Sequence, residues 1–407
     1  MRAAIGFILT TITLDILGMS IVVPVLPRLI QNFEGGNGIA AAHAIGIFGT
    51  AWALMQFIFS PVQGALSDRF GRRPVILLSN LGLGLDYVLM AWAPDLRWLF
   101  LGRVISGITA ASFSCASAYI TDITPPEQRA ARFGLISVAF GFGFVTGPVL
   151  AGILGGIDPR LPFAVAAGLS LVNFTFGVFI LPESLPIEKR APWRWRGANP
   201  AGALHMLWSR PGLPGLAVVS FLGLVANNAL PTICVLYAMN RYGFSLPQLG
   251  WMLGGMGVCS ALVGGLLTGP VVRALGERHA LLVGLGFGAA GFFLMGAAAT
   301  PWLFLAAIPV LSLRGFGDPA LTALMTRRVS PNEQGRLQGA TSSLLGIAGL
   351  IGPSLYTESY AFFAGRQHGL YLPGAPFLIA AALVAMAAAT AWRFAGPAAG
   401  KQETAFL

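Results

Sequence analysis

Gly141-Phe-Gly143-Phe-Val-Thr-Gly147-Pro148-Val-Leu-Ala-Gly152 is the stretch that decides the fold. It lies in a long apolar segment with no charge, and its small or rigid positions are Gly143, Gly147, Pro148 and Gly152. The pattern returns 205 positions later: Gly141 maps to Gly346, Gly147 to Gly352 and Pro148 to Pro353. The same offset relates Gly64 to Gly269, Gly71 to Gly276 and Arg73 to Arg278, and Glu127-Gln128 maps to Glu333-Gln334 at 206 after one insertion. Agreement across loop and helix motifs marks a duplicated chain.

The composition says where such a chain lives. Of 407 residues, 56% are hydrophobic and 10% charged, against roughly 25% charged in soluble domains. Apolar runs of about 20 residues, long enough to cross a bilayer core of about 30 Å, recur throughout. Twelve helices are expected, over 5–29, 43–66, 74–93, 97–120, 132–155, 162–182, 213–240, 248–272, 280–299, 302–325, 335–361 and 372–394. The chain then reads as an all-α membrane protein of two pseudo-symmetric six-helix bundles, 1–182 and 213–407, joined by a cytoplasmic linker at 183–212. Two related bundles that rock about a central site are the architecture of a secondary transporter.

The formal charge of +10 invites a nucleic-acid reading, but its placement opposes one. With a cytoplasmic N-terminus and alternating helices, 18 of the 25 Lys and Arg fall in inner loops and five outside, while Arg103 and Arg314 lie within the membrane. That asymmetry is the positive-inside rule, so both termini are expected in the cytoplasm. In the linker, Trp193-Arg194-Trp195-Arg196 fits either the anionic inner leaflet or a plain solvated hinge. Cys115, Cys234 and Cys259 fall in apolar helices with no CxxC spacing, which predicts buried free thiols. The first apolar run contains Asp15 and lacks a small-residue cleavage site, so it reads as a retained helix rather than a signal peptide. Neither lysine completes a phosphate-binding loop, and no nucleophile–base constellation suggests an enzyme. No cofactor or metal is expected.

Gly64-Ala-Leu-Ser-Asp68-Arg69-Phe-Gly71-Arg72-Arg73 joins the second and third helices. Gly64 permits close approach of a neighbouring helix, and Gly71 permits a sharp turn with positive φ. Asp68 can cap the next turn or pair with an arginine such as Arg73 across the cytoplasmic mouth, as a latch holding one state closed. A basic turn that merely fixes topology is the alternative.

This loop resembles the loop 2–3 signature of the major facilitator superfamily. Gly143, Gly147, Pro148 and Gly152 resemble the helix-5 motif of its drug/proton antiporters. Leu17-Gly18 with Pro24-Val-Leu-Pro27 is similar to their helix-1 motif, and Arg103, Gly107 and Ala111 fit their helix-4 motif. DRFGRRPV, GRVISGIT, AYITDIT, QGRLQG and Asp86-Tyr87 look like bacterial tetracycline/proton antiporters. The resemblance runs from about residue 8 to 360, more weakly in helices 7 to 9 and 12. It implies export of a small amphipathic molecule in exchange for protons, by a monomer in the bacterial cytoplasmic membrane. A proton-coupled uptake symporter or facilitator of the same fold is the rival reading, and a non-transporting receptor or membrane enzyme a second.

The intramembrane charges would carry the chemistry, because an ionised group at mid-bilayer costs several kcal/mol. Asp15 lies roughly 15 Å into helix 1 and Asp86 at similar or greater depth in helix 3. Either could change protonation as access alternates, or be permanently satisfied by hydrogen bonds. The resemblance assigns helix-1 and helix-3 aspartates to proton coupling and substrate handling. Arg103, about 9 Å into helix 4, stays charged and can tune a neighbouring proton but not carry it; a structural ion pair is the alternative. The resembled antiporters carry another aspartate in helix 9, whereas Gly284 to Gly291 has none. Helix 10 instead holds Arg314 and Asp318 on one face, either neutralising each other or forming a relocated proton or substrate site. Pro319 would free backbone carbonyls there. Asn227 and Asn228, near Pro231, are candidate cavity amides or interhelical glue, and Glu358 is expected at the outer interface.

Overall fold

The computed structural model describes residues 2–110, 112–190, 206–208, 212–330, 333–365 and 371–395. The Trp193–Arg196 alternation, Ala111 and the side chain of Glu127 lie outside the described residues. Helices cross the membrane as α1 (Arg2–Phe33), α2 (Gly38–Phe70), α3 (Arg72–Trp92), α4 (Leu96–Thr109 with Ser112–Ile123), α5 (Pro126–Ile157) and α6 (Leu161–Ile180). In the second half they are α7 (Leu213–Asn227 with Ala229–Tyr242), α8 (246–275), α9 (277–297), α10 (Pro301–Thr326), α11 (Gln334–Ala364) and α12 (Ala375–Phe394).

By length and hydropathy, nine spans among the described residues qualify, and local chemistry accounts for the difference from twelve. One of the nine, Leu246–Ala297, is 52 residues long and turns at Gly276 (φ 73°), so it is α8 and α9. The two halves of α4 are each too short alone. Gln334–Ala364 is diluted by Arg336, Glu358 and several hydroxyl residues.

The ends follow ordinary capping rules. Asn37 accepts from Ile39 N and Ala40 N at the start of α2, Asp95 from Arg97 N and Trp98 N at the start of α4, and Thr300 from Leu303 N at the start of α10, each answering backbone donors that lack a helical partner. Gly71, at φ 107°, separates α2 from α3. It and Gly276 are the two loop glycines that the 205-residue repeat pairs, and both occupy the left-handed region that only glycine enters at little cost.

The described residues fall into two compact units: Met1–Ala198 with Cys234–Val258, and Asn199–Ile233 with Cys259–Leu407. In the first, α1 packs on α5 and α6, α3 on α4 and α6, and α2 on α4; in the second, α7 packs on α11 and α12, and α9 on α10 and α12. The pairings repeat with the sequence. So do the breaks: α4 is interrupted after Thr109, and α10 by a 3-10 turn at Leu313–Phe316, again about 205 positions apart. Among the described residues none of the three cysteines forms a disulfide, with Cys115 and Cys234 buried and Cys259 half-buried.

Candidate functional site

α3 and α4 are antiparallel neighbours joined by a short loop, which brings Asp86 against Arg103 although 17 residues separate them. Arg103 Nη2 donates to Asp86 Oδ2 and also lies 3.6 Å from Met90 Sδ. Asp86 is 0% exposed. Its Oδ1 rests against Gly102, where a Cβ would collide with it. Neither that oxygen nor Arg103 Nε has a hydrogen-bond partner among the described residues. Removing one partner of such a pair strands the other charge, here at a cost of up to about 3 kcal/mol because Arg103 is half-buried. Proton uptake by Asp86 would cancel its half of the pair, so its charge and the position of Arg103 are linked. Nothing in the sequence alone identified the partner of Arg103.

Asp15, 9% exposed on α1, is met by two carboxamides that the sequence analysis passed over. Asn173 Nδ2 of α6 donates to Asp15 Oδ1 at 2.8 Å and to Thr11 O at 3.0 Å. Amide orientation is assigned from the hydrogen-bond network. With its nitrogen toward the carboxylate, Asn80 of α3 donates to both Asp15 oxygens at 3.1 and 3.0 Å, and its own oxygen accepts from Asn173 at 3.1 Å. The rule that marked Asn227 and Asn228, polar amides within apolar helices, would have marked Asn80 and Asn173 too.

The glycine face of α5 lies against α1 and the start of α8. A Cβ at Gly143 would stand 2.5 Å from Ile16 Cγ2, and Ser20 Oγ donates to Gly143 O at 2.8 Å. Gly147 is closed off by Ser20, and Gly152 by the backbone of Leu246, Pro247 and Gly250. Pro148 O faces Gly250 in turn.

At the α2–α3 turn, two expectations are corrected. Asp68 pairs with Arg72, one turn on at i,i+4, rather than with Arg73; Arg72 Nε also reaches Asp122 Oδ2 at 3.1 Å. Arg73 points away, donating to Val178 O at the end of α6. Among the described residues nothing lies within 4 Å of the would-be Cβ of Gly64, so none of them makes the expected close helix approach there. Arg69 lies over its neighbour Phe70, 5.2 Å from the ring centroid. The unforeseen member is Glu183, which accepts from Arg72 N at 2.9 Å, Arg73 N at 3.3 Å, and Ser184 N and Leu185 N at 3.0 Å. It thereby caps α3 from the far end of the same unit. Arg278, the repeat partner of Arg73, similarly donates to Trp392 O at the end of α12, at 3.1 Å.

In the second unit, Arg314 sits in the 3-10 turn of α10 with its stem across Gly288 of α9. The glycines of the stretch that lacks a helix-9 acid are thus the seat of an arginine. Arg314 Nη1 donates to Asn227 Oδ1 at 2.8 Å, and Nη2 to Gly223 O at 3.0 Å. Asp318 Oδ1 is farther, at 3.8 Å, on a side chain 72% exposed. The pair therefore does not neutralise itself by a close contact. Asn228 breaks α7, donates to Leu224 O at 2.9 Å and packs on Gly352. Asp318, Pro319, Thr322 and Thr326, with Arg327 and Gln334, line an open cavity of about 760 Å³. Glu358 is exposed.

Comparison with known proteins places this geometry. The chain is 38% identical over 367 residues to the tetracycline resistance protein, class C, of Escherichia coli, covering 90% of this chain and 92% of that one. It is 34% identical over 369 residues to the class G protein of Vibrio anguillarum, covering 91% and 93%. Among solved structures, the nucleoside transporter NupG superposes with a TM-score of 0.75 at 14% identity, covering 97% and 99%; at that identity the likeness is one of fold. The sequence profile of the Major Facilitator Superfamily matches residues 8–353 and again 219–405. The chain is a twelve-helix membrane protein that belongs to the Major Facilitator Superfamily.

Proposed function

We propose that this protein is a proton-coupled antiporter exporting an amphipathic, tetracycline-like small molecule across the bacterial cytoplasmic membrane by alternating access. The observation that carries the reading is the Asp86–Arg103 pair, an acid wholly buried in a membrane-spanning unit whose charge is paired with the guanidinium of Arg103. Extended similarity to two tetracycline resistance proteins supports the substrate class. Asp15, Asp86, Asp318 and Arg103 are assigned to proton coupling. Asn227, Asn228, Arg314 and Asp318, with Asp15 and Asp86, are assigned to the substrate. A proton from outside neutralises a central aspartate, substrate is displaced outward, and the proton leaves to the cytoplasm. Asp68 and Arg72, bridged to Asp122, are assigned to the cytoplasmic gate as the group that orders the α2–α3 turn within the first unit, with Gly71 shaping the turn and Arg69 and Arg73 flanking it. The organisation is two bundles, 1–182 and 213–407, with a linker at 183–212 and both termini inside.

The test is accumulation of tetracycline in inverted membrane vesicles when an inside-acid gradient is imposed. Accumulation that collapses with the gradient supports the reading. Failure to accumulate tetracycline or any of a panel of amphipathic drugs overturns it, and gradient-driven expulsion would favour a symporter.

A further inference from the structure

We infer that Asn80 and Asn173 are positioning residues that hold the Asp15 carboxylate in one orientation and so set the rate of the proton-coupled step. The inference rests on the antiport reading above. Three helices converge here: Asp15 from α1, Asn80 from α3 and Asn173 from α6. Both asparagines are 0% exposed, where an unmet amide is costly. Their N–H groups are directed at the carboxylate and at two helix carbonyls, Thr11 O and Ile76 O, and Asn80 Oδ1 lies 3.1 Å from Asn173 Nδ2, whose two hydrogens it shares with Asp15 and Thr11. The carboxylate thus receives donors from two different helices, and each donor is itself anchored to a backbone carbonyl. A side chain held at both ends in this way has little freedom to rotate.

Packing reinforces the clamp. A Cβ at Gly18, one turn beyond Asp15, would lie 3.5 Å from both Tyr87 Cε2 and Ser170 Oγ, and one at Gly84 would lie 2.8 Å from Leu171 Cδ2. α1 thus lies in ordinary contact with α3 and α6 at Gly18, and α3 packs tightly on α6 at Gly84. Asn80 also stands six residues before Asp86 on α3, roughly 9 Å along a rigid helix. A displacement of α3 that moves the Asp86–Arg103 pair must move a donor of Asp15 with it. The two acidic sites are thereby mechanically joined, through residues that carry no charge.

An amide used only as helix glue would leave Asp15 indifferent to its loss. A positioning role makes the effect depend on Asp15. The experiment measures gradient-driven tetracycline accumulation in inverted vesicles for wild type, Asn80→Leu, Asn173→Leu, Asp15→Asn and the double variants carrying Asp15→Asn, with rates scaled to protein in the membrane. Each Asn→Leu change is expected to lower the maximal rate about tenfold, the scale of one hydrogen bond to a charged group, with KM moving less than about twofold. In the Asp15→Asn background the same changes are expected to add little. Because Leu could impair insertion, Asn80→Ser and Asn173→Ser are followed by infrared spectroscopy of the purified protein, in which the Asp15 carboxylate band (assigned by its loss in Asp15→Asn) is expected to shift. Wild-type rates in both Leu variants, full additivity with Asp15→Asn, or an unmoved band in the Ser variants overturns the inference. An inert wild type would instead overturn the antiport reading on which it rests.

Discussion

Gly152→Ala probes the closest backbone approach on α5. A methyl carbon at 152 would stand 2.8 Å from Leu246 O and 3.1 Å from the Cα atoms of Pro247 and Gly250, against ordinary carbon contacts of about 3.5–4.0 Å. The obstructing atoms are backbone, so no side chain can turn aside, and the start of α8 must retreat by roughly 0.5 Å. Overpacking on this scale costs about 1–3 kcal/mol, which corresponds to about a 5–150-fold shift between states. If the close α5–α8 contact belongs to the transport cycle, turnover in inverted vesicles should fall within that range. Gly141→Ala on the same helix is the internal control, because its would-be Cβ meets nothing within 4 Å; it should transport at close to the wild-type rate. A Gly152→Ala protein with unchanged rate and thermal stability, or equal damage from both substitutions, would refute the packing argument.

Other expectations follow from the same geometry. Asp86→Asn should abolish gradient-driven accumulation and, by stranding the half-buried Arg103, destabilise the protein by up to about 3 kcal/mol, read as a lowered unfolding temperature in detergent; adding Arg103→Met should recover stability but not transport. Glu183→Ala removes the acceptor of four backbone N–H groups and should cost about 1–2 kcal/mol with increased hydrogen exchange at the start of α3. Arg314→Gln should keep a bond to Asn227 but lose the charge, so substrate affinity measured by tetracycline fluorescence should change while Asp318→Asn, on a largely exposed side chain, leaves stability within about 0.5 kcal/mol.

The duplication was legible because it is local in each half. Gly71 and Gly276 show the same need for positive φ wherever a short loop must reverse, and apolar runs of bilayer length identify helices without knowledge of their neighbours. The glycine face of α5 was legible for a related reason, since clustered small residues on a helix mark close packing. The partners of charges were not. Arg72 and Arg73 differ by one residue but by about 100° around the helix, and the sequence did not say which faces Asp68. Glu183 lies 111 positions from the turn it caps, and Asn173 is 158 positions from Asp15. Such pairings depend on which helices become neighbours, a property of the assembled unit. Arg103 stands out in the sequence by its helix-4 motif and its burial cost, but its pairing with Asp86 depends on α3 and α4 lying side by side.

The most direct measurement of proton exchange is lumenal pH in proteoliposomes oriented with the cytoplasmic face outward and loaded with a pH-sensitive dye. On addition of tetracycline to the medium, antiport predicts that the lumen becomes alkaline as drug enters and protons leave, and that Asp86→Asn gives no such change. Acidification of the lumen, or drug entry without any proton movement, would contradict the account.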